Sequence, residues 1–214
     1  MQMNNSKQVI FSFPGIQRLK TIFIWGSLAT LAFGFVYGSC NQLASEASKH
    51  YALYTDWELK IPLIPWMIFP YISLNVIFIV SAFVLKTTTS IKGFCVSIIL
   101  GAFIAGFFFY FFPGKLGFER IIADDYSGLY HFMFSIDHPH NLFPSLHVTY
   151  SMLGVLSMVE QTSSKFFHYV LYGWLILISA SVVLVHQHHL FDILTGAILA
   201  MGLFQFCYRP MNRV

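Results

Sequence analysis

Six stretches of the chain are dominated by apolar side chains and nearly free of charge: residues 21–37, 64–85, 94–112, 142–159, 167–185 and 191–208. A helix needs about 20 such residues to cross a hydrocarbon core of about 30 Å. Four of the stretches have about that length, and the first and fourth are slightly short. The pattern predicts an all-α polytopic membrane protein with six transmembrane helices. It forms one domain over residues 1–214, because no repeat or separate soluble stretch interrupts it. Prolines between Ile61 and Tyr71 shape the approach to the second span, and Pro113-Gly114 ends the third.

The composition agrees, with 57% hydrophobic and 10% charged residues, which no ordinary soluble domain of 214 residues shows. Eight of the twelve basic residues (Lys7, Arg18, Lys20, Lys86, Lys92, Lys165, Arg209 and Arg213) fall on one side of a six-span arrangement. Lys49, Lys60, Lys115 and Arg120 fall on the other, with every acidic residue except Glu160. Positive residues concentrate on the cytoplasmic side, so both termini are expected there. The loops around residues 39–63, 113–141 and 186–190 then face the external or periplasmic side, and a bacterial inner membrane is the expected location. Arg18 and Lys20 precede the first apolar run as they would in a signal peptide, but the run is longer than a signal core and reads as an anchor. Cys40, Cys95 and Cys207 provide no disulfide framework. The net charge of +3 belongs to membrane anchoring, and no nucleic-acid partner is expected.

Two polar clusters break the apolar pattern. Pro144-Ser145-Leu146-His147 begins the fourth run, and His188-His189-Leu190-Phe191-Asp192 begins the sixth. Imidazoles and a carboxyl group in hydrocarbon are costly unless they pair or line a polar cavity, so the clusters point to one shared site. Pro144 suits a first helical turn, which would carry Ser145 and His147 at the positive end of a helix. His188 and Asp192, four residues apart, can share one face of a helical turn, where the carboxylate orients the imidazole. Two imidazoles suit covalent phosphoryl transfer, with His188 as nucleophile and His147 as general acid and then base. Ser145, Lys115 and Arg120 would bind the nonbridging oxygens, with His140 and His186 as auxiliary candidates. The loop histidines His131, His138 and His140, together with His186, His188 and His189, show no sequence-local metal-ligand pattern. The reading calls for no metal and no cofactor.

At these residues the chain resembles the type 2 phosphatidic acid phosphatase (PAP2) superfamily, in its membrane lipid-phosphatase branch. Pro144-Ser145-Leu146-His147 is similar to the family's proline-serine-glycine-histidine block, with leucine in place of glycine. Ser181, His188, Asp192 and Gly196 fall at the spacing of its last block. Val182 stands where that block has an arginine, and Lys115 and Arg120 lack the spacing and the proline of the first block. The resemblance, carried by residues 113–196, implies six spans, a phosphate site at one membrane face and a phosphohistidine intermediate. It implies a lipid phosphatase that hydrolyses a phosphate monoester or diphosphate, whose partners are a phosphorylated membrane lipid and the phospholipid bilayer. The serine-leucine-histidine form and the His188-His189 pair also resemble sphingolipid headgroup transferases, which makes a lipid headgroup phosphotransferase the alternative.

Overall fold

The structure, a computed structural model, describes residues 9–212, so Lys7 and Arg213 of the charge asymmetry lie outside the described residues. Among the described residues five helical stretches are long and apolar enough to cross a membrane: Ile16–Ser45, Pro65–Val84, Thr88–Phe111, Lys165–Leu184 and Leu190–Asn212. The first is α1 (Ile16–Ser45). The second comprises a short 3-10 turn followed by α2 (Ile68–Ile72) and α3 (Leu74–Val84). Ser73 breaks it: its hydroxyl donates to the Pro70 carbonyl at 2.6 Å and accepts from Trp174 Nε1 at 2.8 Å. The third is α4 (Thr88–Phe111), the fourth α7 (Lys165–Leu184), and the fifth α8 (Leu190–Leu203) with, after a π-helical turn, α9 (Arg209–Asn212); the shorter α5 (Ser127–Ile136) and α6 (Leu146–Glu160) lie between α4 and α7 in the chain.

The fourth apolar run differs from expectation. Its helix, α6, has 15 residues, about 22 Å of rise, which is short for a span. The reason lies in its position. α6 is the central helix, touching α3, α4, α7 and α8, and most of its side chains are buried. A helix wrapped by protein need not match the thickness of a bilayer. The first four residues of the run, 142–145, form a non-helical lead into it.

Arg18 donates to the Leu85 and Lys86 carbonyls, Arg209 pairs with Glu160 at 3.2 Å, and Gln161 donates to Ser90 Oγ in the first turn of α4 at 3.2 Å, so these groups share one end of the bundle. The long loops gather at the other end. There Tyr51 N donates to Pro113 O, Lys115 N to Tyr51 O, Gly114 N to His140 O, and Ile64 N to Leu184 O, all at 2.8 to 2.9 Å. α1 lies at the periphery and rests on α4. Gly106 permits that approach, since a Cβ there would collide with Val36.

Candidate active site

Ser145 is the N-cap of α6, its buried hydroxyl accepting from Val148 N at 3.4 Å, so helical geometry begins at Leu146. Pro144 therefore stands one residue before the cap and not in the first turn; its peptide bond to Phe143 is cis. Asn141 ties the lead to α1 by donating to Asn41 Oδ1 at 2.8 Å and to the Tyr37 carbonyl at 3.3 Å. His147, in the first turn of α6, stacks on the Tyr71 ring with centroids 4.0 Å apart, and its Nε2 lies 2.6 Å from the Tyr71 carbonyl oxygen. A carbonyl only accepts, so Nε2 carries a proton, and in the neutral ring Nδ1 is the basic nitrogen.

The second cluster is delivered by the way α7 ends. The Val182 carbonyl accepts from both Gln187 N and His188 N at 3.0 Å, which turns the chain back sharply. His186 takes the left-handed conformation, with φ of 59°, a costly choice for a residue with a side chain. Its ring is held by Phe118, stacked at 4.1 Å, and by a hydrogen bond between Nε2 and the Ile61 carbonyl at 3.0 Å. His188 thus precedes α8, and its pairing with Asp192 is not made within one regular helical turn, as the spacing predicted. The contact forms through a cap. Asp192 Oδ2 accepts from His189 N at 2.8 Å and lies 3.4 Å from His188 Nδ1, with both side chains buried. One carboxyl group both starts α8 and holds the imidazole.

α6 and α8 are stitched together at this level. Ser145 N donates to the Asp192 carbonyl at 3.1 Å, and Thr149 Oγ1 donates to the Gly196 carbonyl at 3.0 Å. A Cβ at Gly196 would sit 2.6 Å from the Ser145 carbonyl oxygen, so the close approach requires glycine. His147 and His188 consequently line one cavity of about 230 Å³, together with Tyr37, Tyr71, Asp137 and Asn141.

Asp137 follows α5, and its carboxyl oxygens accept from Tyr71 Oη at 3.0 Å and from Tyr37 Oη. Arg120 stands behind it. The guanidinium donates to the Asp137 carbonyl and, at 3.4 Å, to Gln187 Oε1, and lies 4.3 Å over the Phe134 ring. Burial pulls this guanidinium below its usual range, against the opposing effect of Asp137. Arg120, Ser145 and Asp192 do not line the cavity; Asp192 stands behind His188, and Ser145 donates its amide to the Asp192 carbonyl. Lys115 is exposed and lies apart. His140 is also apart, stacked on His50 at 4.1 Å, with Nδ1 3.0 Å from the Gly114 carbonyl. Among the described residues no group of three or more His, Cys, Asp or Glu side chains is gathered as a metal site would require.

A second, partly buried assembly braces α8 from outside. Tyr54, His189, Phe118 and His186 form a continuous stack of four rings, 4.1 to 4.5 Å apart. Gly117 N donates to His189 Nε2 at 3.0 Å, and His189 Nδ1 faces Glu58 Oε2 at 3.6 Å. Glu58 accepts from Leu190 N, Thr55 N and Thr55 Oγ1, each at 2.9 Å. Burial acts to raise its carboxyl pKa, but these hydrogen bonds prevail and hold it below the usual carboxylate range. Burial also lowers His189 and His186 below the ordinary imidazole value.

Sequence reasoning brought out both histidines and Asp192. It missed Tyr37 and Tyr71, which lie inside apolar runs and carry no local signal, and it placed Asp137 only within a loop rich in titratable groups. A profile of the PAP2 superfamily matches residues 118–206, less than half of the chain. The matched part holds Arg120, Ser145, His147, His188 and Asp192, whereas Lys115, Tyr37 and Tyr71 precede it. No curated protein matches the chain significantly.

Proposed function

We propose that the protein is a membrane lipid phosphatase that cleaves a phosphate monoester or diphosphate through a phosphohistidine. The observation that carries this reading is the meeting of His147 and His188 at one cavity, with Asp192 on the second imidazole. In this reading Asp192 holds Nδ1 of His188, so Nε2 forms the bond to phosphorus while the ester P–O bond breaks. The leaving oxygen takes its proton from His147. Water then attacks phosphorus, His147 takes the water's proton, and the N–P bond breaks to release phosphate. Ser145, buried at the N-cap, fixes the start of α6, and the amides of Leu146 and His147 there stabilise developing negative charge. Arg120 offsets Asp137, and Lys115 attracts anionic lipid from the surface. The chain spans the bilayer six times, α6 included, with both termini cytoplasmic and the cavity toward the external or periplasmic face.

The test is phosphate release in detergent from phosphatidate, phosphatidylglycerophosphate and isoprenyl diphosphate, with donor label trapped on the protein by rapid quenching. Wild-type protein should carry an acid-labile, base-stable label and release phosphate. His188→Ala should lose both. Full turnover by His188→Ala and His147→Ala variants would reject the mechanism.

The alternative, a lipid headgroup phosphotransferase, is favoured by one observation. The cavity contains Asp137 and no lysine or arginine in its lining. A carboxylate there opposes a dianionic monoester more than a singly charged phosphodiester. The phosphohistidine would then pass its group to a lipid alcohol. Mass analysis with a labelled phosphodiester lipid and a mixed lipid pool separates the two readings. Asp137→Asn should lower KM for a monoester if the phosphatase reading holds.

A further inference from the structure

A second cavity, of about 470 Å³, lies between α1, α3, α4 and α6, and its wall is almost all carbon. It exists because α1 leans on α4 and leaves a wedge beside α3. Small residues keep the α1 side open: Gly26 and Ala29 line it, and a Cβ added at Gly26 would meet nothing within 4 Å. Phe33, Leu74, Asn75 and Tyr150 line both this cavity and the one that holds the histidines. The two spaces therefore adjoin across a shared wall, one carrying the histidines and Asp137 and the other almost wholly apolar.

Length and chemistry narrow what can occupy it. The α3 side of the lining runs from Leu74 to Leu85, about 16 Å along a helix axis. That is roughly half of a hydrocarbon core of about 30 Å, the depth of one leaflet. The volume falls in the range of a site for a single small ligand. Water has few partners in such a wall, since apolar cavities stay dry, and a headgroup would be stripped of its hydrogen bonds.

We propose that this cavity is the berth of one hydrocarbon chain of the lipid whose phosphate meets His147 and His188. The proposal rests on the phosphoryl-transfer reading of the adjoining site and adds what that reading leaves open. The chain nearest the phosphate lies between α1 and α3 with its end toward Leu85, and the remainder of the lipid stays in the bilayer. Chain length is thereby selected by the protein.

The test uses phosphatidate bearing a diazirine near the end of one acyl chain, in phosphatidylcholine vesicles containing the full-length protein. Adducts mapped by mass spectrometry should concentrate on the α1 segment from Ile22 to Phe33 and on α3 from Phe78 to Leu85. Excess unlabelled phosphatidate should compete them away while added phosphatidylcholine does not. Gly26→Trp, and separately Ala82→Phe, should reduce these adducts at least about tenfold, since excluding two methylenes already carries that factor. Both variants should also shift the ratio of dioleoyl to dihexanoyl phosphatidate turnover toward the short chain by a similar factor. His188→Ala should keep the adducts and lose turnover, so failure of the catalytic reading leaves the labelling result standing. Label spread evenly over lipid-facing helices, or label that phosphatidylcholine displaces equally well, would assign the cavity to bulk lipid and overturn the berth.

Discussion

Replacing Gly196 with alanine tests how the two histidine-bearing segments are held in register. The new Cβ would stand 2.6 Å from the Ser145 carbonyl oxygen and 3.3 Å from Val148 Cβ. Even close carbon–oxygen contacts lie at about 3.3–3.6 Å, so α8 must retreat from α6 by roughly 0.7 Å or more. Ser145 cannot yield freely. Its carbonyl accepts from Thr149 N at 2.9 Å and shares the single Thr149 hydroxyl proton with the Gly196 carbonyl, Oγ1 lying at 2.8 Å, and its amide donates to Asp192 O at 3.1 Å. Overpacking of this kind costs about 1–3 kcal/mol, and alanine's better helix propensity returns at most about 1 kcal/mol. The net loss of stability is therefore at most about 3 kcal/mol. Turnover should suffer more. Asp192 lies one turn before Gly196 and would move with the helix, and a misplacement of about 1 Å can cost on the order of a hundredfold. Gly202, later in the same helix, is the control, because a Cβ there meets nothing within 4 Å. Thermal unfolding in detergent and initial rates of phosphate release should show Gly196→Ala slowed about 10- to 100-fold while Gly202→Ala remains near wild type. Wild-type rate and melting temperature in Gly196→Ala would refute the argument that this approach sets the catalytic geometry.

Two further predictions follow from the carboxyl groups and the histidines around the site. Asp192→Asn keeps an oxygen to cap α8 but removes the charge beside His188, so kcat should fall about 10²- to 10⁴-fold with only a small change in melting temperature. Unchanged kcat would mean that His188 does not depend on its partner. Burial holds His140, His186 and His189 below the ordinary imidazole value, so the folded state binds fewer protons than the unfolded chain. Stability present above about pH 6.5 should therefore be lost as pH falls through their folded values. The melting temperature in detergent should drop between about pH 7.5 and about pH 5, and a flat profile would show that these rings do not resist protonation.

What the chain determines by itself is the part of the physics that is local in sequence. Runs of apolar residues announce membrane helices because lipid and protein interior both exclude charge. The pair Ser145 and His147, and His188 with Asp192, stand out because polar groups in such runs need a reason. The charge asymmetry is visible in the same way, and the groups at Arg18, Lys86 and Arg209 do share one end of the bundle. Tertiary structure alone decided the rest. α6 could be shorter than a span because other helices surround it, a fact that no window of its own residues contains. His188 reaches Asp192 through the cap of α8, since the Val182 carbonyl and the left-handed His186 turn the chain back there, where the spacing predicted one regular helical turn holding both residues. Tyr37, Tyr71 and Asp137 come from three separate segments, and only packing makes them one hydrogen-bonded wall. Arg120 is near in sequence to Lys115, yet one is half-buried behind Asp137 and the other is exposed, because burial depends on what the remaining chain places above each residue. Gly196 carries no chemistry in sequence; its missing side chain acquires meaning only where the Ser145 carbonyl passes 2.6 Å from the space a Cβ would fill.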